Sequence, residues 1–174
     1  MKDFYQKYIN EKHSFDKITM LGIFSLIIVI AGTIGFIYEV IFYYFNFGMK
    51  DIYWRGGNFL PWINIYATGA ILIYFLTYKQ RKSPLKVFFI SLISCGILEY
   101  ISGLGIYVLE NGRRLWNYNV EILNFGNIGG FVCLRSVLFF GIAGLMLMYI
   151  VVPICFYLAK KLKKKNFLII SFSL

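Results

Sequence analysis

The chain has 174 residues, of which 59% are hydrophobic, 20% aromatic and only 15% charged, with a mean hydropathy of +0.68. That balance excludes a water-soluble globular domain and reads as an integral membrane protein. The formal charge of +10 sits beside apolar runs, where it signals topology and attraction to anionic lipid and not a nucleic-acid footprint.

Residues 1–17, MKDFYQKYINEKHSFDK, repeat Phe4 and Tyr8, then Tyr5 and Ile9, at helical spacing among lysines. This predicts a short helix on the inner membrane surface, with a frayed polar tail as the alternative. Four runs follow that can each supply the ~20 apolar residues needed to cross roughly 30 Å of hydrocarbon: residues 18–45, 59–78, 86–109 and 131–159. The first is too long for a signal core, contains Glu39 and lacks a small-residue cleavage pattern, so it is read as a retained span. Lysines and arginines crowd residues 2–17, the turn KQRKSPLK and the stretch after span four, whereas residues 46–58 and 110–130 hold only Lys50, Arg55, Arg113 and Arg114. The positive-inside rule then puts both termini and the KQRKSPLK turn in the cytoplasm and the other two connections outside. The predicted fold is an all-α bundle of about four transmembrane helices, one domain over residues 1–174 with a basic tail at 160–174, multi-pass in the cell membrane. The connection at 110–130 is long for a structureless loop and is expected to fold over the outer mouth as a short helix or re-entrant cap.

Several chemistries lack their parts. Cys95, Cys133 and Cys155 fall inside predicted spans without paired spacing and read as small packing residues. His13 is the single histidine and lies outside the spans, so neither a metal site nor a histidine-based nucleophile is expected. NFGNIGG lacks the lysine and hydroxyl of a phosphate loop and reads as a flexible lead into span four. No cofactor is implied.

What remains is a set of charges inside the spans. Glu39, Glu99 and Arg135 all fall in the outer half, and a charge facing lipid near the bilayer centre costs at least about 2.5 to 3.5 kcal/mol, so such groups turn inward and pair. Ala31, Gly35 and Glu39 share a face of span one, as do Ser91, Cys95, Glu99 and Gly103 on span three. Arg135 is the expected partner of Glu99. Asn64 and Thr68, near Arg55, offer another wall from span two. Two glutamates and one arginine leave one negative charge, so either Arg55 or the pair Arg113 and Arg114 also reaches in, or one carboxylate carries a proton. Trp116 and Tyr118 join the candidate site from the outer loop, with interfacial anchoring as the plainer reading of both. A polar clamp that only sets helix register is the plainer reading of the three intramembrane charges.

GFIYE at 35–39, RGG at 55–57 leading to IYATG, LEYISG at 98–103, WNY at 116–118 and NIGGFVCLRSVLFFG at 127–141 together resemble the bacterial family named putative ABC transporter permease, type IV, over residues 35 to about 153. The resemblance implies transport, and it implies that Glu39, Arg55, Tyr66, Glu99, Trp116, Tyr118, Cys133 and Arg135 belong to a shared pattern. The chain departs from that pattern at Asn117, Asn64 and Phe131, where an aspartate, a proline and an arginine are expected.

The function expected is a permease-like transport component with an outward-facing intramembrane polar site built from Glu39, Glu99 and Arg135, and from Arg55, Asn64, Tyr66, Arg113, Arg114, Trp116 and Tyr118 around them. Four spans enclose little of a pathway, so a homodimer or a partner membrane subunit is expected besides the lipid bilayer. A separate ATPase is implied by the family, although KQRKSPLK is short for a coupling element. The alternatives are a membrane-embedded enzyme acting on a lipid-linked or phosphate-bearing substrate, with a glutamate as acid or base, and a non-catalytic assembly partner. An enzyme ranks below transport.

Overall fold

Helix starts in this chain are set by short local devices, and helix lengths by apolar composition. The computed structural model describes residues 2–47 and 64–173. After α1 (Lys2–Asn10), Asp16 caps α2 (Lys17–Phe47) by accepting from the Thr19 hydroxyl at 2.7 Å and the Thr19 N–H at 3.4 Å. α3 (Asn64–Thr77) tightens into a 3₁₀ turn over Tyr78–Gln80. Pro84 opens α4 (Pro84–Leu109) in the first turn, where a missing N–H leaves no bond unmade. α5 (Leu134–Met146) passes through a π turn (Leu147–Val151) into α6 (Val152–Lys161), and α7 (Lys164–Ser173) follows.

Among the described residues three stretches are long and apolar enough to cross a membrane: Lys17–Phe42, Pro84–Leu109 and the continuous helix Leu134–Lys161. The chain is an all-helical, multi-pass membrane protein. The expected second span corresponds to α3, described over 14 residues; the start expected for it at residue 59 lies outside the described residues.

α2 packs on α3, α3 on α4, and α4 most extensively on α5. Small residues permit that last approach. Gly96 meets Val137, Gly141 meets Phe88, and a Cβ on Gly144 would stand 2.1 Å from the Ser91 hydroxyl. The opposite faces carry exposed Leu85, Phe89, Ile93, Ile97 and Ile101 on α4, and Leu134, Leu138, Ile142, Met146, Ile150 and Ile154 on α5 and α6. Each set recurs every fourth residue, which makes one apolar stripe per helix, as contact with lipid requires.

The lysine-rich end is tied together by polar contacts. α7 turns back along the start of α2: Lys164 pairs with Asp16 at 2.9 Å, the Ser25 hydroxyl donates to the Ser171 carbonyl at 2.7 Å, and Phe167 packs on Gly22. The segment expected as a basic tail thus contains a packed helix. Arg81, 8% exposed, donates from Nε to the Tyr8 carbonyl and from Nη1 to the Tyr78 carbonyl, and its Nη2 reaches the Glu11 carbonyl. The Tyr8 carbonyl lies in the last turn of α1, where intrahelical partners run out, and Glu11 directly follows that helix. Nearby, the π turn sets the Val152 N–H on the Leu147 carbonyl. In that register the Met148 carbonyl faces Pro153, which has no N–H, and the Tyr8 hydroxyl donates to it at 2.8 Å. α1 is therefore docked on the bundle through a fully buried Tyr8.

Candidate functional site

At the other end, residues 110–133 fold into a cap of turns. Gly129 and Gly130 both take positive φ, +61° and +80°, and a Cβ on Gly130 would come within 2.5 Å of Asn119, 2.7 Å of Arg114 and 2.8 Å of Asn117. Only glycine fits there. The turn aims three successive carbonyls at one strand-like segment: Arg114 Nη1 donates to Gly129 at 2.8 Å, the Tyr118 N–H to Gly130 at 3.0 Å, and Trp116 Nε1 to Phe131 at 2.9 Å. The glycines that read as slack in the sequence instead serve a gripped turn. Arg114 also lies over the rings of Tyr107 and Phe131, at 4.6 and 4.3 Å from their centroids.

This grip points Tyr118 into the bundle. Its hydroxyl donates to Glu99 Oε1 at 2.5 Å, and the Ser136 hydroxyl stands 2.8 Å from Glu99 Oε2. The same Ser136 oxygen is 2.8 Å from the Cys133 carbonyl, so its one proton serves one acceptor at a time. Burial, then the Glu99 charge, pushes the Tyr118 phenol well above its ordinary range, which keeps it a donor. Glu99 is only 5% exposed. Among the described residues no cation lies within ion-pair distance of it.

Arg135, the partner expected for Glu99, is engaged elsewhere. Its Nη2 pairs with Glu121 of the cap at 2.7 Å and its Nη1 donates to the Ile122 carbonyl at 2.7 Å. The reason is direction: the next residue of α5, Ser136, is the one that faces Glu99, and because an α-helix has 3.6 residues per turn its neighbour Arg135 points to another side, toward Glu121 and Ile122 of the cap. Glu39 accepts from the Tyr66 hydroxyl at 2.6 Å. Gly35 makes that possible, since a Cβ there would stand 2.2 Å from the Tyr66 ring. Tyr38 stacks on Phe139 with centroids 4.1 Å apart, bridging α2 and α5.

Below this polar layer lies a cavity of about 150 Å³ between α2, α3, α4 and α5. Glu99 and Tyr66 stand on its lining; nearly all the rest is aliphatic or aromatic.

A family model described as "Putative ABC-transporter type IV" matches residues 26–174. The chain belongs to this family. The match runs from within α2 through α7, further in both directions than the resemblance read from the sequence, and leaves α1 outside. No curated protein and no solved structure matches the chain.

Of the residues singled out in this family member, Glu39, Tyr66, Glu99, Tyr118 and Arg135 lie at the loop end of the bundle. Trp116 and Arg114 brace the cap from within it, and Arg113 pairs with Glu110 on its exposed surface at 3.1 Å. Arg55 and the side chain of Asn64 lie outside what the structure describes. Two participants were not anticipated, Ser136 and Glu121. Glu121 is the single acid of the stretch 111–133, and a lone loop acid 14 residues before an intramembrane arginine was the available signal.

Proposed function

We propose that this family member is a permease-like transport subunit in which Glu99, with Glu39 and Arg135 in the same layer, contacts the substrate beneath the cap. The observation that carries the reading is Glu99: a buried carboxyl group on the lining of a cavity, held among the described residues by the hydroxyls of Tyr118 and Ser136. Burying such a group is costly, and a ligand can replace hydroxyl donors by rotation about single bonds. In this reading α3 belongs to a further span, second in chain order, both termini and the KQRKSPLK turn are cytoplasmic, and the cap faces outward, as the lysine distribution favours. The membrane is the cell membrane.

An ATPase subunit, or a second copy of the chain, would complete the transporter. A partner at the lysine-rich end would meet more than the short KQRKSPLK turn, because Arg81 and Tyr8 join that turn to α1 and to the π turn. Leu147 and Val151 of the π turn line the cavity floor. Motion at that end would thereby reach the site.

The reading is tested in cells lacking the gene, using the phenotype of its deletion, with expression and thermal stability matched between variants. Glu99→Gln is expected to keep the fold and abolish activity; a folded, fully active Glu99→Gln protein would reduce the layer to packing. Cysteine labelling at position 83 from outside the cell would overturn the orientation.

A further inference from the structure

We propose that the cavity holds the hydrocarbon chain of a membrane amphiphile, admitted from the lipid between α2 and α5, with its polar end toward Glu99. Small side chains leave the space: Ala31 of α2, Gly69 and Ala70 of α3, and Ala143 of α5 all line it. At about 150 Å³ it matches in size an apolar protein cavity known to stay dry and accept a benzene-sized guest. Empty, it would forfeit dispersion contacts along its whole lining, and a hydrocarbon guest restores them.

The opening is indicated by residues that serve two surfaces. Ile34 of α2 and Ile142 and Met146 of α5 line the cavity and are also 43%, 54% and 45% exposed. Ile142 and Met146 belong to the lipid-facing stripe of α5, so the cavity wall and the lipid face are continuous there. α5 packs chiefly on α4, and α2 on α3, with α6 and α7 covering the start of α2. The Tyr38–Phe139 stack closes the seam toward the cap. Glu99, Tyr38 and Tyr66 are the polar-tipped side chains on the lining that a guest would meet at its head end.

The chain site rests on the transport reading only for the direction in which the guest lies. Its test therefore uses binding, not activity. The full chain is placed in lipid nanodiscs containing either a phosphatidylcholine with a mid-chain diazirine or a long-chain alcohol bearing the same group, then irradiated and mapped by mass spectrometry. Labels are expected on interior residues such as Cys95, Leu98 and Phe139. Ala143→Phe or Ala31→Phe should lower them about tenfold, the effect of denying burial to two methylenes, while labels on Phe89 and Ile93 of the outer stripe persist. Labelling by the phospholipid assigns the chain to bilayer lipid, and labelling by the alcohol alone assigns it to single-chain amphiphiles; either supports the site. Labels confined to the outer stripe in the unmodified chain, or interior labels indifferent to both fillings, would overturn it. Interior labelling retained beside a fully active Glu99→Gln protein would sink the transport reading and leave the chain site standing.

Discussion

Each end of the bundle buries an ionisable group, and the two are held in different ways. Arg81 at the lysine-rich end is gripped by main-chain carbonyls of α1, the segment after it and the 3₁₀ turn, none of which can leave without unwinding the backbone that carries it. Glu99 at the loop end is held by side-chain hydroxyls of Tyr118 and Ser136, each released by one bond rotation. The first arrangement is a fastener. The second is a contact that a ligand can exchange, and it stands on the lining of a cavity.

The largest effect that would separate the two ends is expected from Arg81→Met. It strips three main-chain carbonyls of a charged donor at once, and the loss should be about 3 kcal/mol or more, since hydrogen bonds to charged groups are worth roughly 1.5 to 3 kcal/mol each and are not additive. Thermal unfolding in nanodiscs would measure it. Stability unchanged by this substitution would make the two ends alike.

Next in size is Gly130→Ala. A side chain at φ +80° costs roughly 1 to 2 kcal/mol, and displacing Arg114, Asn117 and Asn119 adds overpacking of about 1 to 3 kcal/mol. The cap should loosen and Tyr118 detach from Glu99, which faster hydrogen exchange across residues 114–131 would report. Gly105→Ala, whose Cβ meets nothing within 4 Å, should leave exchange there unaltered.

A smaller effect sharpens the assignment of partners within the loop end. Arg135→Gln and Glu121→Gln should couple by roughly 0.5 to 3 kcal/mol in a double-mutant cycle, and more strongly than Arg135→Gln with Glu99→Gln, which share Tyr118 as a neighbour without pairing directly. Strong coupling in the second cycle, with additivity in the first, would return Arg135 to Glu99.

The smallest effect belongs to Asp16. The Thr19 hydroxyl, then the Lys164 ammonium, hold its carboxyl down at about 2. Its folded pKa lies below the unfolded value, so its contribution is present above about pH 4 and is lost as the pH falls toward 2. The slope of melting temperature against pH across that window should flatten in Asp16→Asn, and an identical slope would show that the cap carries no linkage. The group is exposed, so the change will be slight.

How much of this was legible without coordinates varies by residue. The three long apolar helices follow from apolar runs of sufficient length, because every residue in such a run must avoid water and satisfy its own backbone, and those constraints are local. That Glu39, Glu99 and Arg135 lie in one half of the bundle followed from counting along helices, for the same reason. Their partners did not. Arg135 pairs with Glu121 because the turn at Gly129 and Gly130 folds the cap onto α5, and the left-handed backbone that does this leaves no periodic pattern in the sequence. Tyr8 reaches Met148 because a π turn frees one carbonyl, and that pairing spans 140 positions. Sequence alone determined which groups must be buried, since burial is a property of composition over a helix length; tertiary structure decided which group meets which, because hydrogen-bond partners are chosen by angstrom-scale proximity between segments that composition does not order.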